Sequence, residues 1–162
     1  MSAKDSPEFI DTNILVYAYD STAGEKHQRA KALLKKLWER KAGCLSVQVL
    51  QELHVNLTRK VAFPLELEAA AQIIADLCTW QVHVPDGADM LEAIRLQQRY
   101  QLSFWDAMIL RSAAESGCEL IWSEDFSDGQ MYEGVKVVNP FAHTAETADS
   151  NPIAGVTDRT GG

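Results

Sequence analysis

Residues 8 to 20 read EFIDTNILVYAYD, and this stretch decides the class of fold. Glu8 to Ile10 make a short apolar run that stops at Asp11, and Thr12 and Asn13 can both cap a helix. The helix predicted after them carries Ile14, Leu15, Tyr17 and Ala18. A strand that passes at once into a helix is the opening half of a βαβ unit.

The same alternation continues outward. A second helix is predicted over residues 24–41, because Ala30, Leu33, Leu34, Leu37 and Trp38 recur at the three- and four-residue spacing of one helical face, and Gly43 breaks it. Cys44 to Ser46 fit a second strand. Val47, Leu50, Leu53, His54, Leu57 and Val61 then set up a third helix, and Pro64 suits the first turn of a fourth, carrying Leu67, Ala70, Ile74 and Leu77. Gln81 to Val84 alternate as a strand does, and Pro85 with Asp86 ends that strand and starts a fifth helix running to about Tyr100.

Residues 102–117, LSFWDAMILRSAAESG, form the sixth helix, stopped by Gly117, with Trp105, Ile109 and Ala113 expected to dock it on the sheet. Glu119 to Trp122 and Val135 to Val138 are the last two strands, and Asn139-Pro140 closes the fold. Strands separated by helices imply a parallel sheet covered on both faces by helices. Beyond Phe141 almost no large apolar residue remains, so residues 1–141 are expected to be the folded domain and 142–162 a disordered tail.

A chain of 162 residues with 46% hydrophobic content suffices for one domain with a full core. It has no apolar run of membrane-spanning length, and the segment MSAKDSPEF lacks the apolar stretch of a secretory signal, so a soluble, cytoplasmic protein is expected. Cys44, Cys78 and Cys118 form no CxxC pair, which argues for small reduced core residues over a disulfide or thiolate-zinc framework. His54 falls in an apolar stripe and reads as a packed or capping residue.

The net charge of −8 speaks against indiscriminate polyanion binding. The segment from Glu25 to Lys41 departs from that balance, with Lys26, Arg29, Lys31, Lys35, Lys36, Arg40 and Lys41 against two acids. It is either a solvated helix face or a contact for a phosphate backbone or an acidic partner.

In an open parallel sheet the site lies beyond the carboxyl ends of the strands. Asp11 follows the first strand and Asp125 follows the ELIW strand. Glu52 lies on the helix after the second strand, pointing away from the Leu50 and Leu57 stripe, and Asp106 sits on an apolar face of the helix that leads into ELIW. Each has an ordinary explanation when taken alone: Asp11 as a turn residue, Asp125 as a cap, Glu52 as a solvated position. Asp106 has the best of them, as the acid of a Ser103-x-x-Asp106 capping box. If all four converge, their repulsion must be relieved by protons or by a cation, and an oxygen-only ligand set selects Mg²⁺ or Mn²⁺ over zinc. The chemistry then implied is phosphoryl transfer or phosphodiester hydrolysis.

The segments FIDTNILVYAYD (9–20), SVQVLQEL (46–53), SFWDAMIL (103–110) and IWSEDFSDGQMYEGVKVVNPF (121–141) occur in the order and at the separations that make the chain resemble the PIN-domain ribonucleases, and among them the small VapC-like toxins of bacterial toxin–antitoxin pairs. The resemblance covers about residues 8–141. It implies a three-layer α/β/α sandwich with a four- to five-stranded parallel sheet, and a Mg²⁺- or Mn²⁺-dependent endoribonuclease leaving 5′-phosphate and 3′-hydroxyl ends. It implies that Asp11, Glu52, Asp106 and Asp125 hold the metal, that Ser123 supports the metal-bound water, and that Asn13 is a polar neighbour of the first acid. Asp128, in the DFSDG turn, is a weaker candidate whose reading as a turn residue is at least as good. The resemblance also implies RNA as substrate, a small antitoxin partner and a homodimer. The basic helix over 24–41 is the candidate RNA path, with Arg95, Arg99 and Arg111 as further candidates.

Two other readings compete. A dehalogenase-type phosphatase also begins with an Asp after a first strand, but it needs a second Asp two residues on, where this chain has Asn13. A catalytically silent PIN-like module would use the acids structurally and bind a protein partner.

Overall fold

The computed structural model describes residues 6–142. Its elements are β1 (Glu8–Ile10), α1 (Thr12–Tyr19), α2 (Glu25–Arg40), β2 (Gly43–Ser46), α3 (Val47–Val55), α4 (Leu67–Leu77), β3 (Gln81–His83), α5 (Gly87–Tyr100), α6 (Phe104–Glu115), β4 (Leu120–Trp122), β5 (Met131–Tyr132) and β6 (Val135–Val138). The expected alternation is present. The expected tail at 142–162 lies, apart from Ala142, outside the described residues.

The six strands form one sheet in the order β3-β2-β1-β4-β6-β5. Five are mutually parallel, and β5 runs antiparallel to β6. The sheet therefore has one strand more than expected. The extra strand is a two-residue arm of a tight hairpin whose turn residues, Glu133 and Gly134, both have positive φ (49° and 82°), as a type I′ turn requires.

Central β1 pairs with β2 through Phe9 and Cys44, and with β4 through Phe9 and Ile121 and through Ile10 and Trp122. Phe9, Ile10, Leu45, Ile121 and Val137 are fully buried, so the strands are apolar on both faces as a covered parallel sheet demands. Right-handed crossovers put α1 to α4 on one face, where α1 packs on α2 and α3, and α3 packs on α4; α5 and α6 pair on the other.

The helix starts follow capping chemistry, with some corrections. Asp11, rather than Thr12 or Asn13, is the N-cap of α1 and accepts from the Thr12 N–H. Ser46 caps α3, Asp86 and Asp89 form a reciprocal capping box on α5, and Ser103 caps α6. Pro64 is not in the first turn of α4; it lies in the connection, where the Leu65 N–H reaches back to the Leu57 carbonyl, and the helix starts at Leu67. On α2, Ala30, Leu34 and Leu37 are buried, but Trp38 is exposed and meets the Trp80 ring edge-on. Cys44 and Cys118 are buried free thiols, whereas Cys78 is exposed instead of being a core residue.

Chain order runs from β1 outward to β2 and β3, then returns to β4 on the other side of β1. That reversal is the topological switch point, where loops leave the sheet in opposite directions and open a crevice at the strands' carboxyl ends. The Asp11 N–H donates to the Trp122 carbonyl at 3.0 Å, so the two chain segments leave the sheet together.

Candidate active site

Asp11 lies at the floor of this crevice and is 5% exposed. Its Oδ1 accepts from the Thr12 N–H at 2.7 Å, and its Oδ2 accepts from the Ser123 hydroxyl at 2.8 Å. Burial pushes its pKa from 3.8 up to about 7, and the charges of Asp125 and Glu52 add to the rise; the hydrogen bonds from Ser123 and Thr12 oppose it.

Fully buried Ser123 follows β4 and serves both neighbouring acids: its Oγ also accepts from the Asp125 N–H at 3.1 Å. Asp125 sits at the open rim, with both carboxylate oxygens facing Asn13 Nδ2 at 3.0 and 3.3 Å. Partial desolvation raises its pKa, as do the charges of Asp106, Glu124 and Glu52, against the lowering effect of Asn13.

Glu52 reaches in from α3. Its Oε2 accepts from the Thr12 hydroxyl at 2.5 Å and its Oε1 from Gln48 Nε2 at 3.0 Å. Asp106, half-buried in the first turn of α6, gives its N–H to Ser103 Oγ at 3.1 Å. The reciprocal bond of a capping box, from the Ser103 N–H to the Asp106 carboxylate, does not form, so the carboxylate is not used up by the helix end. The residues at 11, 13, 52, 106, 123 and 125 thus gather around one crevice, linked by hydrogen bonds or by mutual charge.

Other expected positions lie elsewhere. Asp128 Oδ1 accepts from the Asn139 N–H at 2.8 Å and fastens the turn after β4 to the end of β6. His54 is half-buried and faces the groove between α3 and α4, in keeping with a packed residue. The basic residues are largely committed to acids. Arg29 pairs with Glu25, Lys35 with Glu39 and Arg40 with Glu8. Arg95 and Arg99 converge on Glu133, and Arg111 joins Asp89 and Glu115. Of the seven basic residues over 24–41, Lys26, Arg29, Lys35 and Arg40 are thus paired with acids, whereas Lys31, Lys36 and Lys41 stay exposed.

Lys26 does approach the crevice. Its Nζ lies 2.8 Å from Glu124, whose other carboxylate oxygen accepts from the Tyr17 hydroxyl. Tyr17 stands one turn after Asn13, so successive turns of α1 hold the adjacent acids Glu124 and Asp125. Sequence reading missed Glu124, Tyr17, Thr12 and Gln48 as parts of the site. Gln48 carried a signal, being four residues before Glu52 on one helix.

Among the described residues, no three His, Cys, Asp or Glu side chains stand close enough to ligate one ion together. The donors nonetheless fit a hard divalent cation: all are oxygens, and burial with the repulsion of neighbouring carboxylates disfavours the charged forms of Asp11 and Asp125 until positive charge is supplied. Mg²⁺ commonly takes one or two carboxylates and fills its remaining positions with water, which suits this spread of acids.

A mostly parallel sheet flanked by six helices, with acids collected at its switch point, defines the class. The sequence matches the PIN domain family over residues 9–127, and the chain belongs to that family. Its fold is similar to that of a toxin–antitoxin complex from Klebsiella pneumoniae (22% identity, TM-score 0.60, covering 83% of this chain and 98% of the other). It is also similar to the fold of VapC20 from Mycobacterium tuberculosis, a toxin that cleaves the sarcin-ricin loop (20% identity, TM-score 0.58, 78% and 97%). A third similar fold is that of DNA-bound VapBC from Salmonella typhimurium (14% identity, TM-score 0.58, 82% and 96%). No curated protein matches the sequence significantly.

Proposed function

We propose that this protein is a Mg²⁺- or Mn²⁺-dependent endoribonuclease that hydrolyses RNA phosphodiester bonds and serves as the toxin of a toxin–antitoxin pair. The observation that carries the reading is the Asp11–Ser123–Asp125 linkage at the switch point, with Glu52 and Asp106 reaching the same crevice from α3 and α6. Asp11, Glu52, Asp106 and Asp125 would hold the ion. When bound, it supplies charge neutralisation at the scissile phosphate and a water of lowered pKa.

The chain's own residues prepare that site. Ser123 and the Thr12 N–H favour the ionised form of a buried Asp11, which burial alone would keep protonated at neutral pH. Asn13 aims Asp125 by donating to both of its oxygens, and Thr12 with Gln48 fixes Glu52. The relatives of this fold that come from toxin–antitoxin complexes support a small antitoxin as partner. The proposal includes a homodimer acting in the cytoplasm.

One observation favours a silent protein-binding module: Asp11, Glu52 and Asp125 each already accept hydrogen bonds from protein donors. Two measurements separate the readings. The ribonuclease cleaves RNA with Mg²⁺ to leave 5′-phosphate and 3′-hydroxyl ends, loses this in Asp11→Asn and Asp106→Asn, and titrates Mn²⁺ stoichiometrically by calorimetry. Cleavage that persists in both purified variants, or no ion binding by the wild type, removes the proposal.

A further inference from the structure

Trp105 is expected from helical spacing to dock α6 on the sheet, yet the structure leaves it 64% exposed. Ala107, Met108, Ile109 and Leu110 are buried and hold the helix in place. The Phe104 ring meets the indole edge-on at a centroid distance of 5.2 Å, which braces the ring without covering it.

The backbone that carries Trp105 is tied to the acidic crevice. Gln48 Nε2 lies 3.2 Å from the Trp105 carbonyl and 3.0 Å from Glu52 Oε1, so one amide joins an acid of the site to the peptide that leads into Asp106. The indole is thus a solvent-facing plate at a fixed place beside the acids. Beside Phe104, the polar residues Ser103, Asp106 and Gln48 adjoin Trp105 in the chain or through its carbonyl. A single π-face among polar groups suits an unpaired nucleobase, since stacking uses only the face and leaves the base edge and phosphate to the polar surroundings.

The geometry points to Trp105 as the stacking platform for the unpaired base beside the scissile phosphate. This rests on the ribonuclease reading above. Trp105 acts by binding and leaves the chemical step to the acids, so its removal changes KM far more than kcat.

The test is a cycle with the full chain and an RNA oligonucleotide that the wild type cuts, each nucleotide flanking the cut being replaced in turn by an abasic one. Trp105→Ala should raise KM about ten-fold with kcat within about two-fold. One abasic substitution should penalise the wild type equally and the variant no further, and Trp105→Phe should recover most of the loss. Unaltered thermal melting of both variants, expected for an exposed side chain, excludes misfolding as the cause. A Trp105→Ala protein with unchanged KM, or with the full abasic penalty still present, overturns the inference. So does unchanged RNA kinetics with loss of association to a co-expressed neutralising protein, which would assign the indole to a protein contact. A wild type that cuts no RNA with Mg²⁺ instead defeats the ribonuclease reading itself, so the two failures are distinguishable.

Discussion

Ser123 Oγ donates to Asp11 Oδ2 at 2.8 Å, joining the residue after β4 to the residue after β1 where the strand order reverses. Both residues are buried, so the bond stands in for the water that an ionised Asp11 would otherwise require.

Ser123→Ala should therefore impair the site more than its size suggests. Removing the donor leaves a buried carboxylate with one partner fewer, which costs about 1–3 kcal/mol when it is charged. The expected result is at least a ten-fold drop in Mg²⁺-dependent cleavage at pH 7 and a lower urea midpoint, with Ser123→Thr close to wild type. Cleavage assays and urea unfolding of the three proteins check this.

The raised pKa of Asp11 fixes the sign of a pH effect on stability. Its carboxyl titrates near 3.8 when unfolded and near 7 when folded. Below the lower value both states are protonated and Asp11 contributes nothing. Between the two values the folded state binds more protons, so stability is lost as pH rises, and above about 7 the whole penalty is present. Asp11→Asn should thus stabilise the metal-free protein at pH 8 by roughly 2 kcal/mol, an advantage that vanishes toward pH 4. Urea unfolding in a chelator across that range measures it, and an advantage that grows toward low pH would contradict the assignment.

Divalent ions should act in the opposite direction. An ion that binds only the folded state stabilises by mass action, so Mg²⁺ or Mn²⁺ in hundred-fold excess over its dissociation constant should raise wild-type stability by about 2.7 kcal/mol. Asp11→Asn should gain far less. Thermal melts with and without the ion provide the comparison.

Asn13→Ala separates geometry from stability. The Asn13–Asp125 contact lies at the open rim, so its removal should change the unfolding free energy by under about 1 kcal/mol. Asp125 loses the donor that faces both its oxygens, and cleavage should fall roughly ten- to hundred-fold. Asn13→Asp should be worse, because it places a second carboxylate 3 Å from the first.

Gly43→Ala probes the opposite end of the sheet. A Cβ at Gly43 would fall 2.2 to 2.5 Å from Trp80 ring atoms, and that ring also packs against Trp38. The clash should lower stability by about 1–3 kcal/mol. The specific activity of the folded fraction should stay at the wild-type level, a split that thermal melts and cleavage assays resolve.

Much of the architecture was legible because its signals are local. Ser103 and Asp86 cap helices from their own first turns, and Ala30, Leu34 and Leu37 mark the buried side of α2 by spacing alone. The β5–β6 hairpin was missed because a two-residue strand carries no period, although Glu133-Gly134 is the kind of pair a tight turn uses. Trp105 was misplaced because spacing gives its direction around the helix axis and not whether the sheet extends beneath that turn. How the charges of the basic helix are paired was not legible because some of their partners are remote, Lys26 meeting Glu124 98 residues away.

The sequence by itself determined that Asp11 and Asp125 follow strands, that Asp106 opens a helix, and that residues 9–127 carry a PIN domain, since capping, periodicity and motif order are written in neighbouring residues. Only the tertiary structure decided that β4 returns beside β1, that Ser123 bridges a separation of 112 residues to reach Asp11, and that Trp105 faces solvent. The raised pKa of Asp11 belongs with these, because desolvation and Coulomb repulsion depend on what surrounds a carboxylate in space, and that is set when the sheet order reverses.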